Sequence, residues 1–154
     1  MAVTTQYFGS RFFIKNYDHD PGATTAVLAS PDGGTTPISV DLNSYHRVAI
    51  SYRPTIVGGA GVTLVRIMAS TDSAGATNAT VIKTSGAVAG DSLNDTVFLE
   101  CNAEEVAQIA DAAGVSLRYL TFEITHGTST DEGNLTVIAE PRFPRDALSA
   151  TAIT

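Results

Sequence analysis

The chain has 154 residues, 44% hydrophobic and 16% charged, with 16 acidic against nine basic side chains and a formal net charge of −7. That length suits one domain with a real core better than two. Nine lysines and arginines scattered along an acidic chain supply no basic stripe, which argues against nucleic acid and anionic membrane as partners, and no apolar run approaches the roughly 20 residues of a membrane-spanning helix.

Thr, Val, Ser, Gly and Ala dominate, and helix formers are scarce outside residues 103–113. The expected class is therefore all-β: a two-sheet antiparallel sandwich, jelly-roll-like, with one short helix near 103–113. Residues 1–17 read as an N-terminal arm or first strand, 18–140 as a single sandwich domain, and 141–154 as a C-terminal tail.

In chain order, the β-prone run Arg11-Phe12-Phe13-Ile14-Lys15-Asn16-Tyr17 comes first, followed by the turn Asp18-His19-Asp20-Pro21-Gly22. Thr25–Ser30 and Pro37–Leu42 are expected to pair as a hairpin around Pro31-Asp32-Gly33-Gly34, with Ile38, Val40 and Leu42 on one face. Tyr45–Arg53 alternates with Val48, Ile50 and Tyr52 together, and Pro54 is expected to break it. Val62–Ser70 sets Val65, Ile67 and Ala69 against Leu64, Arg66 and Met68. Residues 71–79 read as a surface loop, Thr80–Lys83 as a short strand.

The clearest local signal lies between Asp95 and Gly127. Thr96–Cys101 is a compact β-type run. Asn102 sits as a helix N-cap, Glu105 three residues on suits a capping box, and Gly114 supplies the stop. Val106, Ile109, Ala110 and Ala113 share one side of that helix. The period then drops to two, with Leu120, Phe122 and Ile124 facing away from Tyr119, Thr121, Glu123 and Thr125. The helix is expected to bridge the sheets at one end. The last strand is Leu135–Glu140, and Pro141 and Pro144, lacking ladder donors, place the tail outside any sheet.

Chemistry is sparse. Asp18-His19-Asp20, with Asp32, is the one dense group of potential metal ligands, but neighbours in an extended loop point apart and a calcium-loop spacing is absent, so a solvated turn is expected. His19, His46 and His126 are far apart and read as surface or strand-end residues. No nucleophile elbow or Cys-His signature accompanies them. Glu100, Glu123 and Glu140 with Asp131-Glu132 would need a cleft to act as a carboxylate pair. Gly58, Gly59 and Gly61 lack the Lys-Ser/Thr of a phosphate loop. Cys101 is expected as a buried thiol. No catalytic residue, metal or cofactor is assigned. With no tryptophan, a sugar platform would rest on Tyr45, Tyr52 or Tyr119.

Partner contact is the remaining class, with Phe12, Phe13 and Tyr17 near the start and Arg142, Phe143 and Arg145 near the end as candidates, since interfaces favour aromatics and arginine. Taken with the Ser30–Gly34 turn and the tail Pro141–Thr154, these features give a chain that resembles the small structural proteins of tailed-bacteriophage particles, above all the head decoration (cement) proteins. The resemblance implies a non-enzymatic virion protein made in the host bacterial cytoplasm, bound to the major capsid protein, assembled as a homotrimer. A carbohydrate-binding β-sandwich module, or a tail or neck component, is the alternative.

Overall fold

A computed structural model describes residues 12–19, 26–30, 36–56, 62–86, 96–127 and 132–142. Strands β1 (Phe13–His19), β4 (Tyr45–Ile56), β7 (Val97–Asn102) and β9 (Glu132–Pro141) form a four-stranded antiparallel sheet, sheet I, in the order β1-β9-β4-β7. Strands β2 (Ala26–Leu28), β3 (Ser39–Asp41), β5 (Val62–Ser70), β6 (Thr80–Thr84) and β8 (Tyr119–His126) form sheet II, ordered β2-β8-β5-β6 with β3 also on β8. Helix α1 (Ala103–Ala113) leads from the edge of sheet I to the middle of sheet II.

The topology is that of a folded ribbon. β2 and β3 lie end to end along one edge of β8, opposite Glu123–Thr125 and Tyr119–Thr121, so they act as one broken strand. Outer strands then pair with outer and inner with inner: β1 with β9, β2 and β3 with β8, β4 with β7, β5 with β6. Successive pairs fall in alternate sheets, which is the jelly-roll arrangement. The expected hairpin between residues 25–30 and 37–42 does not form. Among the described residues a single backbone bond, Ile38 N to Ala29 O at 2.7 Å, joins those segments, because β8 offers both of them a longer antiparallel ladder.

Alternation builds the core. Tyr17, Val48, Ile50, Tyr52, Leu135, Val137 and Ala139 line the inner face of sheet I, and Val65, Ile67, Ala69, Leu120, Phe122 and Ile124 that of sheet II. Fully burying each large aliphatic or aromatic side chain is worth about 1.5–3 kcal/mol. The helix seals one side with Ala103, Val106 and Ala110, while Ala113 is exposed and Ile109 half-buried. Its caps form as the sequence requires: Asn102 Oδ1 accepts from Glu105 N at 2.8 Å, and Gly114 takes φ 65°. The reciprocal arm of the capping box is replaced by an ion pair, for the Glu105 carboxylate meets Lys83 Nζ on β6.

Both expected proline breaks are corrected. β4 runs through Pro54 with a register shift beside Ile56; its ladder to β7 has already ended at Tyr52–Val97, so only the β9 side remains to be satisfied. Pro141 is buried as the last residue of β9, opposite Tyr45 across another shift. The loop at 71–79 also does more than cover surface. Asp72 accepts from Ala76 N and Thr77 N, at 3.3 and 2.7 Å, and this folds Gly75 down onto Leu28 and Thr121. Thr121, expected on the open side of β8, is consequently buried.

A candidate docking surface on the four-stranded sheet

The inner and outer faces of sheet I are both partly apolar. On the outer face, strand register sets the side chains in rows. Ile14, Ile138, Ala49 and Glu100 form one row across β1, β9, β4 and β7. Asn16, Thr136, Ser51 and Phe98 form the next. On the other side, Glu140 stands opposite Arg47, with Asn102 beyond it. Ile14 and Phe98 are each 59% exposed.

Ala49 is the small residue among larger neighbours, and its short side chain leaves a depression of about 240 Å³. Phe12, Phe98 and Ile138 wall it with apolar surface, and Arg47, Glu100 and Glu140 bring charge to its edge. Those charges are held in place. Arg47 Nη2 donates to Glu100 Oε1 at 2.7 Å, and His46 Nε2 lies 3.4 Å from Glu140 Oε2. His46 reaches Glu140 because the register shift between Tyr45 and Arg47 inserts it as an extra residue.

The partner-contact candidates separate by face. Phe12 stands on this outer surface. Phe13 packs against the core with its ring edge-on to Tyr45, centroids 6.5 Å apart. Tyr17 is buried, with Lys15 Nζ 5.0 Å from its ring centroid, and desolvation pushes its phenol up to about 12. Arg142 lies at the end of β9, its backbone N donating to Ser44 O and its Nε to Leu42 O at 2.9 and 2.7 Å. Phe143 and Arg145 lie outside the described residues.

Of the carboxylates considered for chemistry, Glu100 and Glu140 both border the depression, the first paired with Arg47 and the second beside His46, while Glu123 lies on sheet II and receives Arg66 Nη1 at 2.7 Å. His126 ends β8, as expected of a strand-end histidine, but is buried there, where its Nε2 and Tyr52 Oη share a 2.9 Å hydrogen bond. Gly133 lies against that Tyr52 hydroxyl so closely that a Cβ would stand 2.2 Å from it. Cys101 is buried, and desolvation, with Glu105 nearby, pushes its thiol up to about 12. Asp18 is exposed on β1, His19 ends that strand opposite Gly133, and Asp20, Asp32 and Asp131 lie outside the described residues. Among the described residues no group of three or more His, Cys, Asp or Glu side chains gathers to hold a metal. Of the sugar-platform tyrosines, Tyr45 and Tyr52 are in the core, and Arg118 lies 4.8 Å over the Tyr119 ring.

Sequence reasoning passed over Phe98, Ala49 and Ile138. Two signals mark them. Val97-Phe98-Leu99 is apolar on both faces of a strand, and Ile138 interrupts the polar side of an otherwise alternating one.

No protein-family profile matches the chain, and no curated protein sequence matches it. In the solved structures the chain is similar to the crystal structure of the SPBc2 prophage-derived protein YomS, with 7% sequence identity and a TM-score of 0.46, over 84% of this chain and 95% of that one.

Proposed function

We propose that this chain is a non-enzymatic structural subunit of a virion, of the head-decoration (cement) kind, which binds the major capsid protein on the outer capsid surface and stabilises the particle. The observation that carries this reading is the outer face of sheet I, where Phe12, Ile14, Phe98 and Ile138 present apolar surface within a charged rim. Apolar centre and polar rim are the anatomy of a protein contact. The depression, about 240 Å³, is smaller than the roughly 300–1,000 Å³ of small-molecule sites and suits a single side chain of a protein partner. The kind of particle is supported by the resemblance of the sequence to decoration proteins.

Arg142, Phe143 and Arg145 are the proposed capsid contacts, individually weak and made effective by many copies on one particle. The buried Tyr45 and Tyr52 and the Arg-covered Tyr119 weigh against the carbohydrate alternative. The test is co-sedimentation of the purified protein with capsids assembled without it, beside the same capsids' resistance to heat. Binding with a raised disruption temperature is expected, and removal of residues 142–154 should lower occupancy. Absence of binding to heads overturns the decoration reading, and binding to isolated tails instead would move the protein to a tail or neck position.

A further inference from the structure

We propose that the outer face of sheet I is a self-complementary interface, on which two copies of this chain pack face to face about a two-fold axis running parallel to the strands between β4 and β9. The proposal rests on reading that face as a protein-contact surface and names its occupant.

The argument is one of register. Rotation by half a turn about such an axis reverses the order of strands across the sheet and leaves each row at its own height. β9 of one copy then lies over β4 of the other, and β4 over β9. In the central row Ile138 comes to face Ala49 of the second copy, and Ala49 faces its Ile138. A projecting side chain meets a depression twice, as an isologous contact demands. In the adjacent row Glu140 comes to face Arg47 of the second copy, and Arg47 its Glu140. Opposite charges therefore meet twice as well. In the row on the other side Thr136 faces Ser51, two small polar residues that leave room for close approach.

At the margins the same rotation brings Ile14 over Glu100 and Phe98 over Asn16 of the second copy, so the fit is carried by the β4–β9 centre. One alternative axis gives no such centre. An axis in the sheet plane but perpendicular to the strands lays β4 on β4, bringing the Arg47 end of the strand over its Arg53 end. Of the net −7 of the whole chain this face holds a small part: Arg47 and Arg53 stand against Glu100, Glu140, Asp18 and Glu132, an excess of two acidic side chains that weakens pairing without forbidding it, since Glu140 and Arg47 meet across the axis. Four strands about 4.8 Å apart and some seven residues long give a plan area of roughly 450 Å². Counted on both partners this is about 900 Å², below the roughly 1,200–2,000 Å² of stable pairs, so the dimer is a weak one that should dissociate on dilution.

The experiment is sedimentation velocity of the full chain across a dilution series, with no capsid present. A concentration-dependent dimer is expected. Ala49→Ile, which fills the depression, and Ile138→Ala, which removes the projection, should each weaken it by roughly tenfold or more. The double variant Ala49→Ile/Ile138→Ala exchanges projection and depression and should regain the dimer. Both substitutions lie outside the core, and a denaturation curve for each of the three variants confirms folding. A trimer, or a dimer indifferent to Ala49→Ile, overturns the proposal. So does a monomer at every concentration. Capsid co-sedimentation then separates the readings: a monomer whose capsid binding is lost in Ala49→Ile keeps this face as a protein contact with a different occupant, and one whose binding survives removes the face altogether.

Discussion

The two faces of sheet I differ less in composition than in what covers them. Inward, Ile50 and Val137 are fully buried beneath sheet II; outward, the same two strands carry Ala49 and Ile138, half-buried beside exposed Phe98 and Ile14. Period-two alternation ordinarily makes the outer set polar. Here one strip of it is apolar and the rest is not, so the sheet has one face that folding satisfies and a second that association can satisfy. Stability should reside in the first and assembly in the second.

The contrast breaks most directly with one substitution on each face. Ile50→Ala should lower the unfolding free energy by about 2–5 kcal/mol, whereas Ile138→Ala at concentrations where the protein is monomeric should lower it by less than about 1 kcal/mol. Urea unfolding reads both, and similar losses would mean that the outer face is part of the core. Gly133→Ala probes the inner face from the backbone. The added methyl would sit 2.2 Å from Tyr52 Oη and 2.8 Å from Arg53 O, displacing the ring that meets His126. A loss of about 1–3 kcal/mol is expected, and an unchanged midpoint would show that Tyr52 swings aside freely.

The smallest effect concerns the polar periphery. Arg118 Nε and Nη2 donate to the two oxygens of Asp41 at 3.0 and 2.6 Å, and this pairing holds the Asp41 carboxyl below its ordinary range. A carboxyl whose value is lowered by folding stabilises the native state above its unfolded pKa, and the contribution disappears as pH falls through the folded value. Between about pH 5 and pH 3 the wild type should therefore lose more stability than Asp41→Asn, by a modest margin because Arg118 is half exposed. Parallel pH profiles would assign no folding role to the pair.

Local signals in the sequence were sufficient wherever one element decides its own shape. Asn102 and Gly114 bound the helix because capping is a matter of a few neighbouring atoms, and Val48, Ile50 and Tyr52 declare a buried face because a pleat alternates. The sandwich class followed from composition and turn spacing. What depends on distant partners was not legible. β2 and β3 pair with β8, nearly a hundred residues beyond β2, and no local feature distinguishes that from a hairpin. Thr121 and His126 look like exposed residues until the Gly75 loop and Tyr52 are seen to cover them. Pro141 reads as a stop because its missing N–H is obvious, whereas its place at the end of β9 depends on Tyr45. The candidate surface is the extreme case. Ala49, Phe98 and Ile138 come from three strands and Phe12 from just before a fourth, and only the ladder brings them within one depression.

The folded-ribbon topology has a consequence for how the protein is made. β8 and β9, the latest in chain order among the described strands, are each flanked on both sides, β8 by β5 and the β2–β3 pair, β9 by β1 and β4. A nascent chain that has reached the end of α1 holds the β4–β7 and β5–β6 pairs but lacks an interior strand of each sheet. The sandwich is thus expected to close only once β8 and β9 have been made, leaving a shorter nascent chain with apolar strand surfaces uncovered while it waits.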